Sequence, residues 1–263
     1  MKLGFSTLGC PDWTFSEIIA TAKDMGFSSV EIRGIKNELY APAIPEFSRE
    51  NAAATKEKLK KIGISIDCLT SQSYLHEGQK YLDEAKRYIE TAWNVGIPYI
   101  RVLGDTNPEP GKVDTDLVFS LLKSLDEAAK GSGIIPLIET NGVYANSLLL
   151  KELFISGSFK QLGILWDIHH PFRYYKEDPQ YTYSNIKKYV RHIHIKDSVV
   201  ENDRIKYKMC GDGDVPVKEC VKITEEGGYK GIYSLEWVKR WHNELEDAGV
   251  AFMHYKYFMD SLK

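Results

Sequence analysis

Short apolar, β-branched runs alternate eight times with longer segments of helical period, and few folds accept that rhythm. The strand-like runs occupy residues 3–7, 29–33, 65–69, 99–103, 136–139, 162–166, 192–195 and 233–236. Between them apolar residues recur at i, i+3, i+4 and i+7, the spacing that gives a helix one buried face. This predicts helices over about 15–25, 48–61, 80–95, 115–130, 146–156, 183–189, 216–226 and 246–262, the first capped by Thr14 or Ser16. In the fourth, Leu117, Leu121, Leu122 and Leu125 fall along one side. Gly26, Gly63, Gly96 and Gly228 each stand between a helix and the next strand, where a left-handed residue stops the helix and turns the chain back. Eight such units imply parallel strands joined by crossover helices, an α/β chain closed as a (β/α)8 barrel. The rival is an open doubly wound sheet, but no Gly-rich phosphate fingerprint follows the first run.

The chain has 263 residues, the size such a barrel commonly uses, and no low-complexity linker divides it. One domain over 1–263 is expected. The stretches 36–47, with Pro42 and Pro45, and 171–181 read as extended loops over the barrel mouth.

A net charge of −3 lacks the basic footprint of a nucleic-acid binder. The first residues enter a strand directly, without the apolar core of a signal peptide, and no run reaches the roughly 20 apolar residues of a membrane span. Cys10, Cys68, Cys210 and Cys220 are scattered, without zinc-site or disulfide-scaffold spacing. The expectation is a cytoplasmic chain with a small-molecule partner, no nucleic acid and no membrane; a homo-oligomer stays open.

In barrels of this kind chemistry gathers at the C-terminal ends of the strands. Glu31 and Arg33 end the second run, Arg101 and Asp105 follow the fourth, and Glu139 ends the fifth. Asp167, His169 and His170 follow the sixth; His192, His194, Lys196 and Asp197 mark the seventh; Glu236 ends the eighth. Several carboxylates converging on one axis repel each other, and a divalent cation relieves that. Glu139, Asp167, His194 and Glu236 approach the axis from four consecutive strands. This set of oxygens and one nitrogen suits Mn, Mg, Co, Zn or Fe. In His192-Ile193-His194 both imidazoles point to one side of the strand, and only one stands at the height of an ion. His194, nearer the C-terminal end, is preferred.

The motifs also carry a resemblance. Gly4-Phe5-Ser6-Thr7, Val30-Glu31-Ile32-Arg33, Leu137-Ile138-Glu139-Thr140-Asn141 and Trp166-Asp167-Ile168-His169-His170-Pro171 stand in order. They are followed by His192-Ile193-His194-Ile195-Lys196-Asp197, Gly211-Asp212-Gly213-Asp214 and Ser234-Leu235-Glu236-Trp237. Together they resemble the xylose-isomerase-like TIM-barrel superfamily, in its sugar-phosphate isomerase/epimerase branch, over the whole chain. The resemblance implies one divalent ion on Glu139, Asp167, His194 and Glu236. It also implies proton transfer by Glu139 and Glu236, and a substrate-contacting histidine at His170.

The chemistry expected is isomerisation or epimerisation of a small sugar, sugar phosphate or polyol. A carbon-bound proton is acidic enough to remove only if the resulting enediolate is stabilised, which a metal ion does as a Lewis acid while a carboxylate acts as base. His170 and Lys196 are candidates to bind substrate oxygens, with Arg33, Arg101 and Arg240 as anion or hydroxyl clamps. The alternative is a dehydratase of the same superfamily, acting on an inosose or dehydroshikimate, which shares the first half-reaction. An abasic-site-endonuclease-like phosphodiesterase is a minor alternative, because the third and fourth strands end without the histidines of a multi-metal cluster. A non-catalytic barrel is the last.

Blander readings accompany these. Glu139 alone could be a strand-end carboxylate paired with Arg101 or Lys196. His192 could be a satisfied polar residue lower in the barrel, His169 could face outward, and Asp197 could cap the segment after it. Trp13, Trp166, Trp237 and Trp241 could wall a sugar site or belong to the core. Gly211–Gly213 reads as a tight loop closing over the site.

Overall fold

The structure, a computed structural model, describes residues 1–262. Eight parallel strands form the barrel: β1 (Lys2–Ser6), β2 (Ser29–Ile32), β3 (Ser65–Tyr74), β4 (Tyr99–Leu103), β5 (Ile135–Glu139), β6 (Gly163–Asp167), β7 (Val190–Ile195) and β10 (Ile232–Leu235). The sheet closes because β10 pairs with both β7 and β1. Each strand-like run of the sequence overlaps one barrel strand. Outside the barrel, β8 (Asp197–Glu201) and β9 (Arg204–Lys208) form an antiparallel hairpin that the sequence pattern had not suggested.

Nine α-helices are described: α1 (Phe15–Asp24), α2 (Ala52–Ile62), α3 (Gln79–Val95), α4 (Thr115–Ala129), α5 (Ser147–Gly157), α6 (His169–Tyr175), α7 (Pro179–Ile186), α8 (Val217–Glu226) and α9 (Ala248–Asp260). Their ends follow local chemistry. Thr14 caps α1 in a reciprocal box, its Oγ1 accepting from Glu17 N while its own backbone N–H donates to Glu17 Oε2. Gly63 and Gly96 end α2 and α3 at φ +80° and +81°, a region costly for other residues.

Two expectations about loops are corrected. Residues 36–47 do not hang over the mouth. They form short 3-10 turns that bury Ala41, Ile44 and Phe47, and Tyr88 of α3 donates to Leu39 O and accepts from Ala41 N. The apolar content of the stretch is what draws it onto the helices. Residues 171–181 are also not extended: they complete α6 and begin α7, with Asp178 Oδ1 capping α7.

Strand alternation divides the side chains. Ile100, Val102, Ile138, Ile164, Trp166, Ile193 and Ile195 belong to the apolar core that packs under the helices. The alternate positions face the barrel axis, and there Glu31, Arg101, Glu139, Asp167, His192 and His194, all buried, stand among leucines such as Leu137 and Leu165. Branched apolar residues fill most barrels of this class. A polar interior is costly unless its charges are paired or met by a ligand, so it marks the candidate functional site.

Candidate metal centre

β5, β6, β7 and β10 are neighbours in the closed sheet, and each brings one ionisable group to the same point. Register explains the meeting: Asp167 lies opposite His194, and His194 opposite Ser234, which precedes Glu236 by two residues. Thr140 fastens the arc, its Oγ1 donating to Asp167 O at 3.0 Å and accepting from Asp167 N at 2.8 Å.

His194 is held at one nitrogen and open at the other. Its Nε2–H donates to Glu31 Oε2 at 2.8 Å. Nδ1 is buried without a hydrogen-bond partner, 3.5 Å from Glu236 Oε1, 3.6 Å from Glu139 Oε1 and 3.9 Å from Asp167 Oδ2. Asp167 is arranged likewise. Its Oδ1 accepts from His169 N and His170 N, whereas Oδ2 makes no hydrogen bond and faces the group, with Lys196 Nζ 2.8 Å away. The four ligand atoms lie within 4.8 Å of one another. Ligands of one ion with bonds of roughly 2.0–2.2 Å stand about 3–3.5 Å apart, so the set fits a divalent cation after small adjustments. An imidazole nitrogen without a hydrogen bond, facing three crowded carboxylates, is an arrangement that such an ion would satisfy.

The outer oxygens are taken by cations. Arg101 Nη1 lies 2.5 Å from Glu139 Oε2, and Lys196 Nζ contacts Glu236 Oε2. Burial pushes the Glu139 carboxyl up, but Arg101 and His194 outweigh it and hold it well below the usual range. Lys196 is pressed down by burial and raised further by Asp167 and Glu236, which keep it an ammonium. Burial opposes charge on His194, yet Glu31 and Glu236 raise it well above an ordinary imidazole. His170 is lowered, chiefly by burial. Its Nδ1 donates to Thr140 O at 2.9 Å, which leaves Nε2 as an acceptor 3.3 Å from Lys196 Nζ.

Above these groups a cavity of about 490 Å³ opens to solvent. Arg33, Arg101, Glu139, His170, Lys196 and Glu236 all line it. Arg240 does not; its Nη2 donates to Pro11 O and Lys36 O, so it ties loops together outside the cavity. Of the four tryptophans weighed above, only Trp241 borders the cavity. Trp166 stacks on Tyr183 under α7, Trp13 meets Phe252 edge-on, and Trp237 Nε1 donates to Glu246 O.

His169 is buried rather than outward, its Nε2 2.9 Å from Ser198 Oγ. Gly211-Asp212-Gly213-Asp214 does not close over the site. Its turn wraps Asp197, whose carboxylate accepts from the backbone N–H groups of Ser198, Gly211, Gly213 and Val215. The hairpin β8–β9 instead reaches the mouth, through Tyr207.

Sequence reasoning missed one layer. Glu31 Oε2 also accepts from His192 Nε2 at 2.7 Å, and His192 Nδ1 lies 3.1 Å from Asp67 Oδ2. Asp67, His192 and Glu31 thus run through the barrel to the back of His194. Two histidines at period two facing a closed interior were the available signal, because each needs a buried partner.

A family model described as xylose isomerase-like TIM barrel matches residues 19–255. The chain belongs to the xylose isomerase-like TIM-barrel family. No curated protein sequence matches it. Three solved structures illustrate the likeness of fold. The IOLI protein with a bound zinc atom is 15% identical at a TM-score of 0.80, over 100% of this chain and 98% of that one. The probable 3-DHS dehydratase AsbF from Bacillus anthracis is 14% identical at 0.79, over 99% of each. The 3-keto-D-glucoside 4-epimerase YcjR from E. coli is 18% identical at 0.73, over 100% and 98%. At these identities the likeness is one of fold. Among the described residues of this xylose isomerase-like barrel, no helix is long and apolar enough to cross a membrane.

Proposed function

We propose that this xylose isomerase-like protein is a divalent-metal-dependent isomerase or epimerase of a small sugar, sugar phosphate or polyol. The observation that carries the reading is the unpartnered Nδ1 of His194, turned into three carboxylates at the floor of a cavity roomy enough for a small sugar. Glu139, Asp167, His194 and Glu236 hold the ion. When bound, it supplies Lewis-acid stabilisation of negative charge on substrate oxygen.

The chain's own residues do the rest. Glu139 and Glu236 stand at the two ends of the four-strand arc, so they approach a substrate in the cavity from different sides. That disposition lets one carboxylate take a proton from carbon and the other return it, which inverts the centre. Arg101 never releases its own proton, so it keeps Glu139 a weak base in the resting state. Lys196 spreads its charge over Asp167 and Glu236, leaving Glu236 the less tightly matched carboxylate. Lys196 N–H groups and His170 Nε2 are placed to orient substrate hydroxyl and carbonyl oxygens.

A second reading, dehydration, draws on one contact. Lys196 Nζ lies 3.3 Å from His170 Nε2, a proton donor and acceptor together beside the cavity, as the departure of a hydroxyl as water requires. Incubating the metal-loaded protein with ketoses, inososes and their phosphates in deuterated water tests both. Deuterium on carbon without loss of water supports isomerisation or epimerisation, and an unsaturated product supports the lyase. A fully active metal-free protein would overturn both.

A further inference from the structure

The cavity wall along β2 and β4 carries two guanidinium groups with unpartnered N–H donors. Arg33 Nη1 and Arg101 Nε are both shielded from solvent and hydrogen-bonded to nothing. Arg101 is otherwise committed, to Glu139 Oε2 and to Ser71 O at 2.9 Å. Arg33 is not. Only 6% of it is exposed, and its hydrogen bond to Thr7 Oγ1 comes from its backbone N–H.

Among the described residues, Arg101, Arg173 and Lys196 each have a carboxylate within ion-pair distance. Arg33 is buried like them and has none. Its Cζ lies 5.8 Å from the ring centre of half-exposed Trp241. Burial, then the neighbouring charge of Arg101, pushes its pKa down to about 10. Burying an unmatched cation is costly, and a protein keeps one where a ligand supplies the missing charge. A sugar hydroxyl would satisfy a donor but leave the charge unmatched. Glu109, which also borders the cavity, is exposed at its rim.

We propose that Arg33, aided by Arg101 Nε, is the receptor for an anionic group of the substrate, a carboxylate or a phosphate. Arg33 follows β2, which lies outside the β5–β10 arc that carries the candidate ligands. The anion therefore sits on the β2–β4 side of the cavity. The substrate class is a polyhydroxylated carbonyl compound bearing one such group. This rests on the reading of the cavity as the substrate site and narrows it.

The test compares two matched pairs on the metal-loaded protein by calorimetry: D-fructose with D-fructose 6-phosphate, and D-glucose with D-glucuronate. A planar guanidinium fork on an oxyanion makes charge-assisted bonds, so at least one anionic member should bind about 10- to 100-fold tighter than its neutral parent. In Arg33→Gln the preference should shrink to about threefold or less. The pair that shows the preference tells phosphate from carboxylate. Arg33→Met, which keeps the apolar stem, repeats the test if the glutamine variant does not fold. No preference in the natural protein, or a preference that survives loss of Arg33, overturns the proposal. Deuterium exchange on the same four compounds separates it from the functional reading. Anion preference without exchange would sink the reaction and leave the subsite. Exchange without anion preference would do the reverse.

Discussion

Glu31 Oε2 stands 2.8 Å from His194 Nε2, and this contact fixes which ring nitrogen faces Glu139, Asp167 and Glu236. With one proton committed to Nε2, a metal ion has only the Nδ1 proton to displace, and the lone pair then faces the carboxylates. Carboxylates behind a ligating histidine typically contribute 10- to 100-fold in metal affinity, by fixing both tautomer and orientation. Glu31→Gln places an amide NH2 among N–H donors, and divalent-ion affinity should fall by about that factor. Competition with a chromogenic chelator measures it. An unchanged dissociation constant in a folded variant would remove Glu31 from this role.

His192 lies between Glu31 Oε2 and Asp67 Oδ2, with no surface exposed. Burial opposes its charge, but Asp67 and Glu31 raise its pKa to about 9, so it is an imidazolium at neutral pH. His192→Leu strands the buried Asp67 carboxylate and leaves Glu31 with His194 alone, and should destabilise the barrel by about 3–5 kcal/mol. Adding Asp67→Leu should recover part of the loss, because one stranded charge is then gone. Urea unfolding of the two variants decides. Strict additivity would mean that the pair is not coupled.

A metal ion that binds only the folded barrel must stabilise it. Chelation should lower the unfolding temperature, and adding Mn, Mg, Co or Zn should restore it, by about 2.7 kcal/mol when the free ion is a hundred times its dissociation constant. Asp167→Asn should blunt that response. A melting curve indifferent to both chelator and metal would count against the centre.

Glu139 and Glu236 are proposed both to hold the ion and to move the proton, so replacing either should impair the chemistry. Glu139→Gln and Glu236→Gln should each slow carbon–deuterium exchange by about 100-fold or more while the barrel stays folded. Exchange at near-natural rates in one of them would take that residue out of the acid–base role. Circular dichroism on the same samples guards against unfolding.

Gly213 has no room for a side chain: a Cβ there would lie 2.1 Å from Asp197 Oδ1 and 2.5 Å from Ser198 O. Gly213→Ala must push the turn off Asp197 and release hydrogen bonds to a charged acceptor, each worth about 1.5–3 kcal/mol. Amide hydrogen exchange over 209–215 should quicken, with the barrel strands unaffected. Protection equal to that of the natural protein would show that the turn relaxes another way.

The barrel was legible because its strands and helices switch period eight times, a signal carried by local apolar spacing. The four candidate ligands were legible because each ends or follows a strand, where topology alone brings them together. What stayed hidden depends on pairings remote in sequence. Glu31 and His192 are 161 residues apart, and nothing near Glu31 announces its partner. The role of Asp197 was hidden for a similar reason, since backbone N–H groups carry no sequence signature. The β8–β9 hairpin escaped because its residues are largely polar and the outer half is exposed on both faces. Its strongest clue was Asn202-Asp203, both at positive φ, the conformation of a two-residue hairpin turn.

That hairpin stands on Asp197 and is stitched by its own five-pair ladder from Asp197↔Lys208 to Glu201↔Arg204. It presents Tyr207 to the cavity while contributing none of the four candidate ligands. Its tip can therefore be lengthened, shortened or rewritten as an exchangeable cassette without retuning the carboxylates beneath.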